Sequence, residues 1–320
     1  MLGPQLQPNL TFFVELAGTA LAEVAGPTTL AVLTQRQAQV SMAIVDCSAE
    51  RATLIRRLNA AGIAVTAWLV VPAADGYWLS ADNATAAVDQ WRQVLAWSRL
   101  ENLHFSAVGL DIEPPHADTV GLVTRPFRTA IALAPRLRSK VALAAAHAQY
   151  RALVAEIALT IVRVEAYHVP LILDERRAKS QLLRRALGLV DIAVDREVLM
   201  LYRSALPALW GRGLVAAYGP DAQAIAVGIT GGGVASLQPH FARRELDLPE
   251  LLAELRTAAR STRELYVFSL EGCLRRGILD AVCAADLLVP AGRNPNPAAV
   301  PLILARKALQ LGLKTSRWLT

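Results

Sequence analysis

Cysteine is scarce in this chain, with Cys47, Cys273 and Cys283 the only three in 320 residues. Without paired spacing they supply neither a disulfide framework nor a cysteine metal site. Cys273 and Cys283 are expected as buried thiols on one helix. Charge is thin as well, at 19% against a hydrophobic fraction of 54%, a balance that excludes a disordered chain and implies a large core. No apolar run reaches the roughly 18 to 20 uncharged residues of a membrane span, so no transmembrane segment is expected. A basic leader region before Glu15 and Glu23 is missing too, and no signal peptide is visible. Repeats, low-complexity tracts and Pro/Gly-rich linkers are also lacking, which points to one domain over residues 1–320.

The net charge is +6, yet the basic residues (Arg56, Arg57, Arg184, Arg185, Arg275, Arg276) are scattered along helical stretches. With no dense basic run, no nucleic-acid partner is expected. His168 is the histidine expected at a strand end, and nothing near it completes a zinc set. No metal or other cofactor is expected.

What the chain does contain is a regular alternation of short β-type runs with longer helical ones. The strands are predicted at Thr11–Ala17, Val40–Cys47, Ala64–Val71, Ala107–Glu113, Val164–Leu171, Glu197–Arg203, Ala224–Thr230 and Glu264–Leu270. Helical stretches fall at Ala49–Ala61, Ala84–Leu100, Arg125–Ile161, Ser180–Leu189, Leu248–Ala259 and Gly272–Leu288. Asp82 and Asn83 can cap the helix that carries Trp91, and Gly62 can end the one before the third strand. The stretch 125–163 is too long for one ordinary helix, and Val141–Ala146 could be a strand within it. Eight β/α alternations predict a closed (β/α)8 TIM barrel in the α/β class. After a Pro-rich loop at 290–301 comes an amphipathic helix over about 301–318. Its Arg306, Lys307, Lys314 and Arg317 suit either packing on the barrel or a membrane surface.

The fourth strand, Phe105-Ser-Ala-Val-Gly-Leu-Asp-Ile-Glu113, carries the chemistry. Strand alternation puts Asp111, Glu113, Gly109 and Ala107 on one face and Val108, Leu110 and Ile112 on the other. Pro114 and Pro115 then stop the strand. Two acids about 6–7 Å apart at Cα can raise one another's pKa and keep Glu113 protonated near neutrality. The other strand ends bring Glu15, Asp46, Trp68, Tyr167 with His168, Tyr202 with Arg203, Gly231–Gly233 and Glu271. An acid-rich, aromatic rim of this kind suits a sugar ligand.

This strand resembles the fourth-strand signature of family 18 glycoside hydrolases, the chitinase and endo-N-acetylglucosaminidase group, Phe-Asp-Gly-Ile-Asp-Ile-Asp-Trp-Glu. Met200-Leu-Tyr202 resembles the family's sixth-strand Met-x-Tyr, and Val267-Phe-Ser-Leu-Glu271 its eighth-strand Phe-Trp-Ser-Leu-Asp. The resemblance covers these motifs and the architecture, not the helices. It implies that Glu113 is the general acid. It also implies that Asp111 orients a substrate 2-acetamido group acting as internal nucleophile, and that Tyr202 donates a hydrogen bond to that group. A β-linked glycan, N-acetylated if the resemblance extends to the sugar, is the implied substrate. Ser106 and Gly109 replace aspartates of the pattern, Phe268 replaces a tryptophan, and Arg203 follows Tyr202 where an acid or amide is usual. A changed substrate or a distant sister family accounts for these departures.

Other candidates for contact with substrate are Trp68, Tyr77, Trp78, Tyr167, His168, Phe268 and Glu271. Tyr77 and Trp78 could form a stacking platform. Glu271 is either a second catalytic carboxylate or an anion at the start of the next helix. Two alternatives stand beside the hydrolase. One is a non-catalytic carbohydrate-binding barrel. The other is a barrel enzyme that cradles a phosphorylated ligand on Gly231–Gly233. The missing leader suggests the cytoplasm, whereas the resemblance suggests export.

Overall fold

A computed structural model describes residues 7–138, 140–160, 162–205, 211, 213–233, 245–289 and 299–316. Eight parallel strands close in sequence order into a barrel. They are β1 Asn9–Val14, β2 Gln39–Ile44, β3 Val65–Leu69, β4 Ala107–Ile112, β5 Arg163–His168, β6 Arg196–Met200, β7 Ala224–Gly228 and β8 Glu264–Phe268. With helices between them, this is the (β/α)8 barrel that the alternation predicts. Every predicted strand is present, but each ends one to three residues earlier than its apolar run. The reason is visible after β3: Val70 and Val71 are as buried as the strand itself yet lie beyond its ladder. Burial continues into the loops after pairing has stopped.

The helices differ more. Ala84–Leu100 stands as predicted, with Ala84, Ala87, Trp91, Val94 and Ser98 on its buried face. The stretch 125–161 divides into helices Pro126–Leu133 and Lys140–Ala158, joined by a 3-10 turn over Ala134–Arg138. Pro126 opens a new helix at its first position, and Pro135 cannot continue it. Val141–Ala146 is thus helical. Cys273 and Cys283 sit on two helices, Leu270–Arg275 and Leu279–Ala284, because Gly277 turns the chain at φ +64° between them. Helices Pro27–Arg36 and Leu171–Ala178 were not anticipated. The second was hidden by the apolar run through Leu171.

The chain forms two compact units. One runs up to Met42 and continues through Ser48–Val65 and Val198–Ile303. The other comprises Ala43–Cys47, Thr66–Glu197 and the chain from Leu304 onward. In the first, β1 pairs with β8 from Asn9↔Glu264 to Phe12↔Val267, and β7 pairs with β8. In the second, β4 lies between β3 and β5. The C-terminal helix spans Ala299–Ser316. Its Arg306 is buried against Asp174 at 2.9 Å, and Gln310 donates to the same carboxylate at 2.8 Å. Packing is therefore what Arg306 does. Arg317, and the predicted loop at 290–298, lie outside the described residues.

Candidate active site

The unit holding β3, β4 and β5 contains the two acids, and its construction starts from small residues. Ala107 and Gly109 on β4 are the Cα partners of Arg163 and Glu165 on β5, and Asp111 is the partner of Tyr167. In a parallel pair such partners share a face, so two small side chains leave room for three large polar ones. Glu165 is fully buried, held by Arg163 at 3.0 Å and Arg196 at 3.4 Å. Tyr167, also fully buried, leans back over Gly109. A Cβ at Gly109 would lie 2.8 Å from the Tyr167 Cε2 and closer still to Cζ and Oη. The Tyr167 phenol thus fills the space that an aspartate at 109 would need. Trp68 stands edge-on to Tyr167, with ring centroids 6.2 Å apart at 79°. Its Nε1 donates to Asp111 Oδ2 at 2.9 Å.

Asp111 is 1% exposed. Glu113 lies one residue beyond the end of β4 and is half-buried. Burial pushes the Glu113 carboxyl up to about 7, and a side-chain hydrogen bond with Asp111 pulls the other way. Desolvation thus wins over hydrogen bonding. The outcome is an acid that keeps its proton up to about pH 7, beside an Asp111 side chain that an indole N–H already holds.

The loop after β3 is laced to this end of β4. Leu79 N donates to Asp111 O at 2.8 Å, Glu113 N to Leu79 O at 3.1 Å, and His116 N to Gly76 O at 3.3 Å. The lacing ties the stretch 76–79, with Tyr77 and Trp78 in it, to the chain from Asp111 to His116. Trp78 is buried and packs on the His116 ring at 5.4 Å, and Tyr77 meets Trp78 edge-on at 5.9 Å. Tyr77 is half-buried and adopts φ +65°. A left-handed backbone at a bulky residue persists only where its surroundings enforce it. Asn83 supplies that enforcement: its Nδ2 donates to Asp75 O and Trp78 O at 2.8 and 2.7 Å, and its Oδ1 accepts from Ser80 N at 2.8 Å. The Tyr150 hydroxyl adds a bond to Ser80 O at 3.0 Å.

His168 has different company. Its Nδ1 lies 2.8 Å from Glu197 Oε1, and Arg176 holds Glu197 at 2.9 Å and Asp191 at 3.0 Å. Burial alone would raise the Glu197 carboxyl; the hydrogen bonds from His168 and Arg176 overcome this and hold it at about 2. Arg184 extends the network to Glu175 and Asp191, both at 3.0 Å.

The remaining candidates belong to the other unit. Tyr202, half-buried, packs on Phe268 with centroids 5.7 Å apart at 50°. Glu271 is fully buried in the first turn of Leu270–Arg275. Ser269 is the residue that caps this helix, accepting from Gly272 N at 3.2 Å. Burial pushes Glu271 up to about 7, opposed by hydrogen bonds that include one from Ser269 and one from Glu15 N, the latter at 3.3 Å. Gly232 and Gly233 lie against these acids. A Cβ at Gly232 would be 2.6 Å from Glu271 Oε1, and one at Gly233 3.4 Å from Glu15 Oε2.

Three contributors escaped the sequence reading in whole or in part. His116 carried no motif, and Tyr150 is an unmarked helical tyrosine. Asn83 read as a helix cap, when Ser80-x-x-Asn83 is a capping box that organises the loop. Among the described residues no group of three or more His, Cys, Asp or Glu stands where it could hold a metal ion.

No protein-family model and no curated protein matches the chain. Among solved structures it is similar to the PgaB (BpsB) glycoside hydrolase domain of Bordetella bronchiseptica. The identity is 10%, with 87% of this chain and 98% of that one covered, at a TM-score of 0.47. A GH18 chitinase from Pseudoalteromonas aurantia gives 11%, 86%, 98% and 0.46. A D-allulose 3-epimerase from Methylomonas sp. gives 12%, 94%, 98% and 0.43. The activities of these three proteins differ, and likeness at this level does not choose among them.

Proposed function

We propose that this protein is a glycoside hydrolase acting on a β-linked glycan, with Glu113 as general acid and Asp111 as its anionic partner. The observation that carries the reading is the pair itself. Glu113 is raised to about 7 by burial, at the partly open end of β4, one strand step beyond an aspartate fixed by Trp68. A general acid works best with a pKa near the operating pH. The Glu113 hydroxyl would protonate the glycosidic oxygen. Under the family 18 resemblance Asp111 would orient the 2-acetamido group, whose carbonyl oxygen attacks the anomeric carbon. Tyr77, the more open ring of the loop after β3, would stack on a sugar. Trp68, Trp78 and Tyr167 would shape the subsite from behind.

The test is Glu113→Gln against a panel of aryl β-glycosides that includes N-acetylglucosaminides. Hydrolysis by the wild-type protein that falls at least a hundredfold in the variant supports the assignment. An unchanged rate refutes it.

One observation favours a second reading, a carbohydrate-binding barrel without turnover: Tyr167 occupies the space where the family pattern has a carboxylate at 109. Calorimetric binding of chito-oligosaccharides with no sugar released would select it. The phosphorylated-ligand reading finds less support, since Glu15 and Glu271 flank Gly232 and Gly233.

A further inference from the structure

The charge of this chain is unevenly placed. No Asp or Glu occurs between Asp118 and Glu156, whereas Arg125, Arg128, Arg136, Arg138, Lys140 and Arg151 do. Those six positive charges equal the net charge of the whole protein, +6, so the rest of the chain is balanced. The stretch begins just after Glu113-Pro-Pro and forms His116–Thr124, Pro126–Leu133, the turn Ala134–Arg138 and the start of Lys140–Ala158.

Its surface is apolar as well as cationic. Phe127 and Ile131, four residues apart and so on one helical face, are 86% and 75% exposed, and Val141 is 82% exposed. Arg125 and Arg128 are exposed beside them and form no ion pair among the described residues. Arg136 instead anchors the segment, bridging Asp118 and, at 3.2 Å, Asp82. Exposed aromatic and aliphatic side chains rimmed by exposed arginines match the two demands of an anionic bilayer: apolar groups for the acyl boundary and cations for the headgroups. Duplex DNA would use the arginines but leave Phe127 and Ile131 in water.

We propose that the segment 116–142 docks this protein on an anionic phospholipid surface, with Phe127 and Ile131 inserted and Arg125 and Arg128 at the headgroups. The proposal is independent of the glycosidase reading. It also differs from the membrane contact considered for the C-terminal helix, whose Arg306 is buried.

The test is flotation of the full chain with phosphatidylcholine vesicles and with mixed phosphatidylcholine–phosphatidylglycerol vesicles. Binding is expected to the mixed vesicles alone and to weaken with salt. Arg125→Gln with Arg128→Gln should lower the partition coefficient about fivefold per charge removed. Phe127→Ser with Ile131→Ser should lower it about tenfold. Leu100→Ser, at another exposed apolar residue (83%) outside the segment, should bind as the wild type. Circular dichroism checks folding, and Phe127→Ser alone replaces the double variant if that one fails to fold. Absence of binding, equal binding to both vesicle types, or wild-type binding by the Phe127 and Ile131 variants would overturn the proposal. Duplex DNA that displaces the vesicles regardless of Phe127 would overturn it in favour of a nucleic-acid partner.

Discussion

Glu113 and Glu271 make an instructive pair. Burial raises each to about 7, so proton affinity does not distinguish them. Accessibility and partners do. Glu113 is half-buried just beyond β4, hydrogen-bonded to a second carboxylate and flanked by a laced aromatic loop. Glu271 is fully buried, and the groups that bond it include its own amide, Ser269 and the Glu15 amide. A raised pKa marks a carboxyl that has lost water; of the two residues, Glu113 alone keeps part of its surface exposed.

The largest effect should come from exchanging one acid at a time. Glu113→Gln is expected to cut kcat by about a hundred- to ten-thousandfold, while Glu271→Gln leaves kcat within a few-fold of wild type. Equal losses, measured on the same aryl glycoside, would erase the distinction. The pH–rate profile should show activity falling as pH rises through about 7, where Glu113 loses its proton, and Glu271→Gln should keep that limb.

Stability should separate them next. With folded-state values above the ordinary 4.5, both carboxyls bind more protons folded than unfolded between about pH 4.5 and 7. Stability contributed by their protonation therefore declines as pH rises through this window. At roughly 1.4 kcal/mol per pKa unit, the change for Glu271 is about 3 kcal/mol. Urea unfolding of Glu271→Gln across this range should give a shallower slope than the wild type. An identical slope would show that Glu271 titrates normally.

Smaller effects probe the packing behind Asp111. Gly109→Asp introduces a carboxylate that collides with Tyr167, and overpacking of this kind costs about 1–3 kcal/mol. Adding Tyr167→Ala should recover part of that loss. Additive losses in thermal unfolding would mean that the two positions do not compete for space. Asn83→Ala should cost about 1–3 kcal/mol through unsatisfied buried groups. It should also weaken sugar binding more than it lowers kcat, since Asn83 holds the Tyr77–Trp78 loop.

The barrel was legible because strand periodicity and apolar runs are local properties. All eight strands could be counted, and the shared face of Asp111 and Glu113 follows from alternation alone. Strand ends were less legible because Val70 and Val71 stay buried after the ladder stops. The helices after β4 were misjudged because Pro126 and Pro135 sit inside an otherwise helical composition. At the site, the exchange of a carboxylate at 109 for the Tyr167 phenol involves residues 58 positions apart, and register alone brings them together. The role of His116 depends on the path of the loop after β3, which no local pattern encodes, whereas Asn83 stands in a local one, the capping box Ser80-x-x-Asn83.

The most direct test of the central claim is the ionisation of Glu113, followed by the side-chain carboxyl carbon resonance of 13C-labelled glutamate, assigned by its disappearance in Glu113→Gln. A midpoint at about 7 is the predicted result. A midpoint at the ordinary value of 4.5 would contradict it, leaving β4 with two ionised carboxylates and no acid to give.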